Sequence, residues 1–309
     1  MMLINGKRNT MEMDVSFEEL LSIIEKQGRN YIYRGQSNSE HLLEPSGFRE
    51  KNREIINQVD LAIKTGVTEL IEESVSEEPV AMNPINRAMR LFYTLAARQG
   101  LDLPKINIIN EIIVDPNQFI TSGMSVGDET TFAPYLELCA LAQHYGFPTY
   151  LLDWSLDPYC ALYFSVSNAL KGMVKEFDKT KSCSFSLWML NVEQLKGENK
   201  PITVFTFNHH TNLNLIAQRG VFTYVSRENL NDSSTILDKI ESVNEEGYEP
   251  SLIKYNISYE DVLKAMDHLI RIHKTAETFF PGYEGVVRSM KDYAYYQDVK
   301  KKFDNINNN

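Results

Sequence analysis

Between Gln143 and Leu170 the chain reads QHYGFPTYLLDWSLDPYCALYFSVSNAL, which sets His144, Asp153 and Ser155 close to a short apolar pair, Leu151-Leu152. Burying an unpaired polar group costs roughly 1–3 kcal/mol, and more for a charge. These groups therefore either satisfy one another or line a pocket, and both arrangements put the segment at the centre of the molecule. An imidazole that titrates near neutrality is a candidate base, and a carboxylate stabilises developing positive charge. Far upstream, Arg34 follows the aromatic residues of Tyr31-Ile32-Tyr33 and precedes Gly35 and Gln36. Its planar fork suits phosphate or carboxylate, and the glycine lets a ligand or another backbone approach closely. Two roles stand side by side for Arg34: an anion anchor, or a structural arginine paired with Asp153 to tie two strands. Downstream, Asn212, Asn214 and Gln218 either join the site or form a structural hydrogen-bonded network.

Each candidate has a plainer role beside it. His144 sits where a helix ends and could cap it. Ser155 reads as a helix N-cap ahead of a nucleophile, and no Gly-x-Ser-x-Gly elbow supports a hydrolase. Trp154, Tyr159, Tyr163 and Phe164 read mainly as packing. Adjacent His209 and His210 point apart on any regular element, so no metal site is expected. The stretch Glu277 to Glu284 reads as a turn around Pro281-Gly282 with Phe279 and Phe280 on the core, and no spacing assigns either glutamate to the site.

The elements that must position these residues are legible in outline. Ser16 with Glu19 forms a capping box, and Leu20, Leu21, Ile23 and Ile24 follow at helical spacing. Tyr31 to Tyr33 reads as a strand delivering Arg34 at its end. Amphipathic helices are predicted over about 52–73 and 84–99, with an acidic loop at 72–79 and a loop-rich stretch holding Gly123 and Gly127. A helix over 134–145 stops at Gly146, and Thr149 to Asp153 is a short buried strand. Asp157 or Ser155 caps the next helix, with Pro158 in its first turn. Strands are predicted over 184–190, 202–207, 220–225 and 252–257, and Ser258 with Asp261 caps a last helix. This pattern gives an α+β fold with a mixed or antiparallel sheet.

Composition narrows the partners. A formal net charge of −11 over 309 residues argues against broad phosphate-backbone binding. No apolar run approaches the roughly 20 residues of a membrane helix, and the first ten residues lack the apolar core of a signal peptide. Cys139, Cys160 and Cys183 show no metal-ligand spacing, and a reducing cytoplasm is the expected setting.

The motifs carry a resemblance. Tyr33-Arg34-Gly35, the Ala142-Gln143-His144-Tyr145-Gly146 run leading to Leu151-Leu152-Asp153-Trp154-Ser155, and Gln218-Arg219-Gly220-Val221-Phe222 occur in the order of the FRG domain family. The chain is identified as a member on these three blocks, which run from about Tyr31 to Thr223. One departure is Tyr150, where the family usually carries Arg. The resemblance implies a single FRG-like domain over 1–303, a helical insertion over about 50–130 and a disordered tail at 304–309. More weakly, the strand order is similar to that of ADP-ribosyltransferases, with Gln218 where those enzymes carry a catalytic Glu.

That second likeness implies NAD as substrate and no metal. Arg34 would hold the pyrophosphate and the Gly35 backbone the nicotinamide amide, with Tyr33, Gln36, Ser155 and Asn212 around them. Tyr145 or Tyr163 would stack on the nicotinamide, Asp153 would stabilise the oxocarbenium-like ribose, His144 would act as base and Gln218 would orient the ribose or nucleophile. The implied activity is ADP-ribosylation of a protein or nucleic-acid acceptor by a toxin or phage-defence effector, with an inhibitory antitoxin as a further partner and no membrane. An NAD glycohydrolase and a non-catalytic nucleotide- or peptide-binding module remain as alternatives.

Overall fold

The computed structural model describes residues 10–28, 30–66, 84–105, 132–176, 184–195, 202–207, 212–225 and 251–307. Cys183, His209 and His210, the acidic stretch 72–79, Gly123 and Gly127, and parts of the expected insertion lie outside the described residues.

The strands are β1 (Thr10–Asp14), β2 (Tyr31–Gln36), β3 (Leu152–Ser155), β4 (Ser184–Asn191), β5 (Ile202–Phe205), β6 (Gly220–Val225) and β7 (Leu252–Ser258). They form one mixed sheet in the order β1-β7-β4-β2-β3-β6-β5. Among the described residues only β1 and β7 run parallel; every other neighbouring pair is antiparallel. The α+β class and mixed sheet therefore hold.

Among the described residues the α-helices are α1 (Phe17–Lys26), α2 (Glu50–Lys64), α3 (Pro84–Arg98), α4 (Phe132–His144), α5 (Pro158–Lys175), α6 (Leu213–Ala217), α7 (Val262–Arg271), α8 (Ala276–Phe279) and α9 (Tyr283–Asn307). One face of the sheet packs on α1, α5, α7, α8 and α9 through Phe17, Leu162, Val166, Phe185, Leu187, Ile257, Met266, Phe279 and Val299. The opposite face buries Ile32, Leu152, Trp154, Trp188, Leu190 and Val221. A third cluster joins α2, α3 and α4 to the β3–β6 side, with Ile56, Met89, Tyr135, Leu138, Leu151 and Phe222. There Tyr135 donates to Asn86 Oδ1 at 2.7 Å, and Arg87 pairs with the buried Asp60.

Local chemistry explains the element boundaries. The Ser16–Glu19 capping box opens α1. Asp157 accepts from the Tyr159 amide and opens α5, with Pro158 in the first turn. Gly146, at φ 93°, ends α4 where a residue with a Cβ would be strained. Thr149 holds the Leu151 amide through its hydroxyl, so regular pairing begins only at Leu152, three residues later than the spacing suggested. Strand β2 continues through Gln36, which puts Arg34 inside the strand and not at its end. Ser258 caps a short 3-10 turn, accepting from the Glu260 amide. Asp261 accepts from the Phe17 amide instead of capping α7. Helix α9 runs to Asn307, through most of the expected polar tail.

Candidate functional site

Strands β2 and β3 share a single bridged pair, Tyr33 with Ser155. Beyond it, Arg34, Gly35 and Gln36 continue pairing with β4 on their other side. In place of a ladder bond, Arg34 Nη1 donates to the Asp153 main-chain carbonyl at 2.6 Å and lies 3.8 Å from its carboxylate. A guanidinium thus closes the seam between two strands. Burial pushes that guanidinium down to about 10, while Asp153 pulls it back up and Arg49 lowers it further.

A cleft of about 700 Å³ opens on this seam. Its walls come from β2 (Tyr33, Arg34, Gly35), the end of α4 (Gln143, His144) with Tyr145, β3 (Asp153, Trp154, Ser155), the start of α5 (Ala161, Phe164), α6 with β6 (Asn212, Gln218, Val221) and the start of α9. The three sequence blocks therefore meet at one hollow, and hydrogen bonds link them in series. Arg34 joins the first block to the second; Ser155 Oγ donates to the Gln218 carbonyl at 2.7 Å and joins the second to the third. Gln218 Nε2 then donates to the Phe279 carbonyl at 3.1 Å, reaching the C-terminal helices.

Nine of the eleven candidate residues line this cleft: Tyr33, Arg34, Gly35, His144, Tyr145, Asp153, Ser155, Asn212 and Gln218. Their surroundings differ. Asp153 has a 57 % exposed side chain and accepts from Gln143 Nε2 at 2.6 Å; the same Gln143 accepts from Thr149 Oγ1. His144 and Tyr145 are exposed at the rim, their rings edge to face at 5.1 Å. Ser155 is buried, with its hydroxyl also accepting from the Asp157 amide, so it is occupied by structure. Asn212 caps α6 by accepting from the Leu215 amide at 3.0 Å. Burial pushes the Tyr33 phenol up to about 12.

The other two candidates, Gln36 and Tyr163, do not line the cleft. Gln36 is buried, accepting from Trp188 Nε1 at 2.7 Å and donating to the Leu42 carbonyl. Strand alternation puts it on the face of Ile32 and Arg34, but its amide is taken up there by Trp188 and Leu42 and does not line the cleft. Tyr163 is buried against α9, with its hydroxyl donating to Asp292 at 2.7 Å, so it presents no ring to the cleft. Its neighbour Phe164 lines the cleft instead. For Gly35, the second of the two reasons for a glycine applies: a Cβ there would sit 1.8 Å from the Ala161 carbonyl oxygen of α5. Cys139 and Cys160 are buried, and burial pushes both thiols up to about 12, as inert core cysteines require.

Helix α9 and its approach contribute cleft residues that no sequence motif marks. Phe280, Glu284 and Arg288 line the cleft. The Arg288 guanidinium lies 4.1 Å over the Phe280 ring and binds Glu284 at 2.7 Å. The only earlier signal was the pair of glutamates around Pro281-Gly282. Glu284 reaches the cleft, whereas Glu277 binds Ser289. Asp102 and Glu137 add two more carboxylates to the lining. Among the described residues no cluster of His, Cys, Asp or Glu could hold a metal ion, and no helix is long and apolar enough to cross a membrane.

Residues 29–173 match the family model of the FRG domain. The match takes in the first two sequence blocks and stops within α5, ahead of the third block and of α9. No curated protein and no solved structure matches the chain.

Proposed function

Because residues 29–173 are an FRG domain, we propose that this chain is an NAD-dependent ADP-ribosyltransferase that modifies a macromolecule, and that the cleft on the β2–β3 seam is where dinucleotide and acceptor meet. The observation that supports this reading is the meeting of Arg34 and Asp153 on one wall of a cleft built from all three sequence blocks. At about 700 Å³ the cleft falls in the range of roughly 300–1,000 Å³ that encloses small ligands.

In this mechanism Arg34 binds the pyrophosphate and the rim ring of Tyr145 stacks on the nicotinamide. The bond from ribose C1′ to the nicotinamide nitrogen breaks, and its electron pair leaves with neutral nicotinamide. Asp153, fixed by Gln143 and Arg34, faces the positive charge that develops on the ribose. The acceptor's lone pair forms the new bond to C1′, and its proton passes to His144. The Gln218 amide group is anchored through its nitrogen to Phe279, which leaves its oxygen to orient the ribose or acceptor. Carboxylates of Asp102, Glu137 and Glu284 around the cleft, with a formal net charge of −11, favour a protein acceptor over a phosphate backbone. Such an activity harms the cell that makes it, which fits a toxin or phage-defence effector kept in the cytoplasm by an inhibitory partner.

One observation favours a second reading. The third block offers Gln218, and an amide cannot act as a base, so a non-catalytic nucleotide- or peptide-binding module is the competitor. Incubating the purified chain with NAD labelled in the adenylate half and whole-cell extract separates the outcomes. Label on protein supports the transferase. Free labelled ADP-ribose with no labelled macromolecule identifies an NAD glycohydrolase, and tight binding with no turnover identifies the binding module.

A further inference from the structure

A second hollow of about 150 Å³ shares Arg34, Gln143 and Asp153 with the cleft and is otherwise walled by Ser46, Arg49, Asn52, the segment 146–148 and the Leu151-Leu152 pair. At about 30 Å³ per water it holds roughly five waters. That is the size class of one tetrahedral oxyanion, well short of a nucleoside. Its charged side chains are two guanidiniums and one carboxylate. The carboxylate, Asp153, is already engaged by Gln143 and Arg34.

The two arginines are held, and neither is satisfied by the other. Arg49 donates through Nε and Nη2 to the Glu44 carbonyl at 3.0 and 2.9 Å. Its loop is clamped by the Gly47 amide on the Thr149 carbonyl at 2.8 Å and by Asn52 Nδ2 on the Ser46 carbonyl at 2.7 Å. Arg34 keeps its Nε buried with no hydrogen-bond partner, a costly state for a charged donor. Each guanidinium also lies within the other's field, since Arg49 is among the groups that lower Arg34. Arg49 opens α2, a helix of 15 residues whose N-terminus has no side-chain cap and so adds a field favourable to an anion.

We propose that this small hollow is an oxyanion subsite that takes one phosphoryl group between Arg34 and Arg49, next to the main cleft. An anion there would sit between the two guanidiniums and relieve the repulsion between them. The proposal rests on the nucleotide reading only for the source of the phosphoryl group, which is either the dinucleotide itself or a phosphorylated acceptor.

Calorimetric titration of the full chain with inorganic phosphate, and separately with a non-hydrolysable NAD analogue, tests it. The wild-type chain is expected to bind phosphate, Arg49→Gln to lose at least tenfold in affinity, and Arg49→Lys to fall between, keeping charge without the fork. Thermal unfolding of each variant is read alongside; if Arg49→Gln does not fold, the weakening in Arg49→Lys decides. Competition between phosphate and the analogue assigns the group to the dinucleotide, and independent binding assigns it to the acceptor. No phosphate binding by the wild type, or unchanged affinity in a folded Arg49 variant, overturns the subsite. NAD turnover in the same samples is scored separately. Turnover without phosphate binding leaves the transferase reading and removes the subsite, whereas Arg49-dependent phosphate binding without turnover does the reverse.

Discussion

The Arg34 guanidinium bonds the main-chain carbonyl of Asp153 at 2.6 Å and stands 3.8 Å from the carboxylate of the same residue. One contact therefore serves the fold, by closing a seam where the β2–β3 ladder stops, and fixes the place of a carboxylate on the cleft wall. The two roles open to Arg34 from the sequence are thus not exclusive. A variant at this position is expected to change stability and binding together.

Arg34→Ala is expected to lower stability by about 1.5–3 kcal/mol, the range for a hydrogen bond from a charged donor, and to abolish NAD consumption. Urea unfolding measures the first effect and nicotinamide release the second. Wild-type stability in the variant would show that the guanidinium does not hold the seam.

Gln143 is a positioning residue, because its amide donates to Asp153 while its oxygen accepts from Thr149. Gln143→Leu leaves the Asp153 carboxylate without that donor. Misplacing a reacting group by about 1 Å costs as much as a hundredfold in rate, so kcat for NAD consumption should fall tenfold to a hundredfold with KM little changed. A change confined to KM would instead place Gln143 in substrate binding.

Tyr163→Phe separates packing from chemistry. It removes the hydroxyl that stabilises the ionised form of buried Asp292. Burial raises the Asp292 carboxyl and the Tyr163 hydroxyl lowers it, with the net direction upward. The expected loss is about 1–3 kcal/mol with NAD turnover unchanged. The loss should be fullest above the folded-state pKa of Asp292, where the carboxylate is charged, and should shrink as pH falls through it. Lost turnover in a variant of wild-type stability would return Tyr163 to the site.

Asp60 ties α2 to α3. Burial pushes its carboxyl up, but Arg87 and Lys64 outweigh burial and hold it below the ordinary aspartate value. A depressed folded pKa contributes stability that is complete above the unfolded value, about 3.9, and is lost as pH falls toward the folded one. Asp60→Asn should cost about 3 kcal/mol near neutrality. The gap to wild type should narrow below about pH 4. A gap independent of pH between 2 and 7 would show that the charge is not what matters.

The parts of the fold that were legible in the sequence are those set by neighbours along the chain. The Ser16–Glu19 box, the Asp157-Pro158 start of α5, the Gly146 stop and the run of β6 each depend on a few adjacent residues. Strand β1 was not legible, because its five residues become a strand only by pairing with β7, more than two hundred residues away. Helix α9 hid for a different reason: Gly285, Ser289 and Asp292 face inward while Val286, Val287 and Met290 face out, which inverts the pattern that marks a buried helix face. Its cleft residue Arg288 was hidden with it, and Glu284 was visible only as one of two glutamates with nothing to choose between them. For the site, motif identity brought nine residues to the cleft, but it could not tell which polar groups distant parts of the chain would take up. Gln36 is held by Trp188 and Leu42, and Tyr163 by Asp292.

The central claim is that β2, the α4–β3 connection and the α6–β6 segment grip one dinucleotide. Amide hydrogen exchange of the full chain, with and without a saturating non-hydrolysable NAD analogue, tests it most directly. The account predicts slowed exchange in all three segments together, around Tyr33–Gly35, Gln143–Ser155 and Asn212–Phe222, and its loss in Arg34→Ala. Binding that protects other parts of the chain, or none of these three, would contradict it.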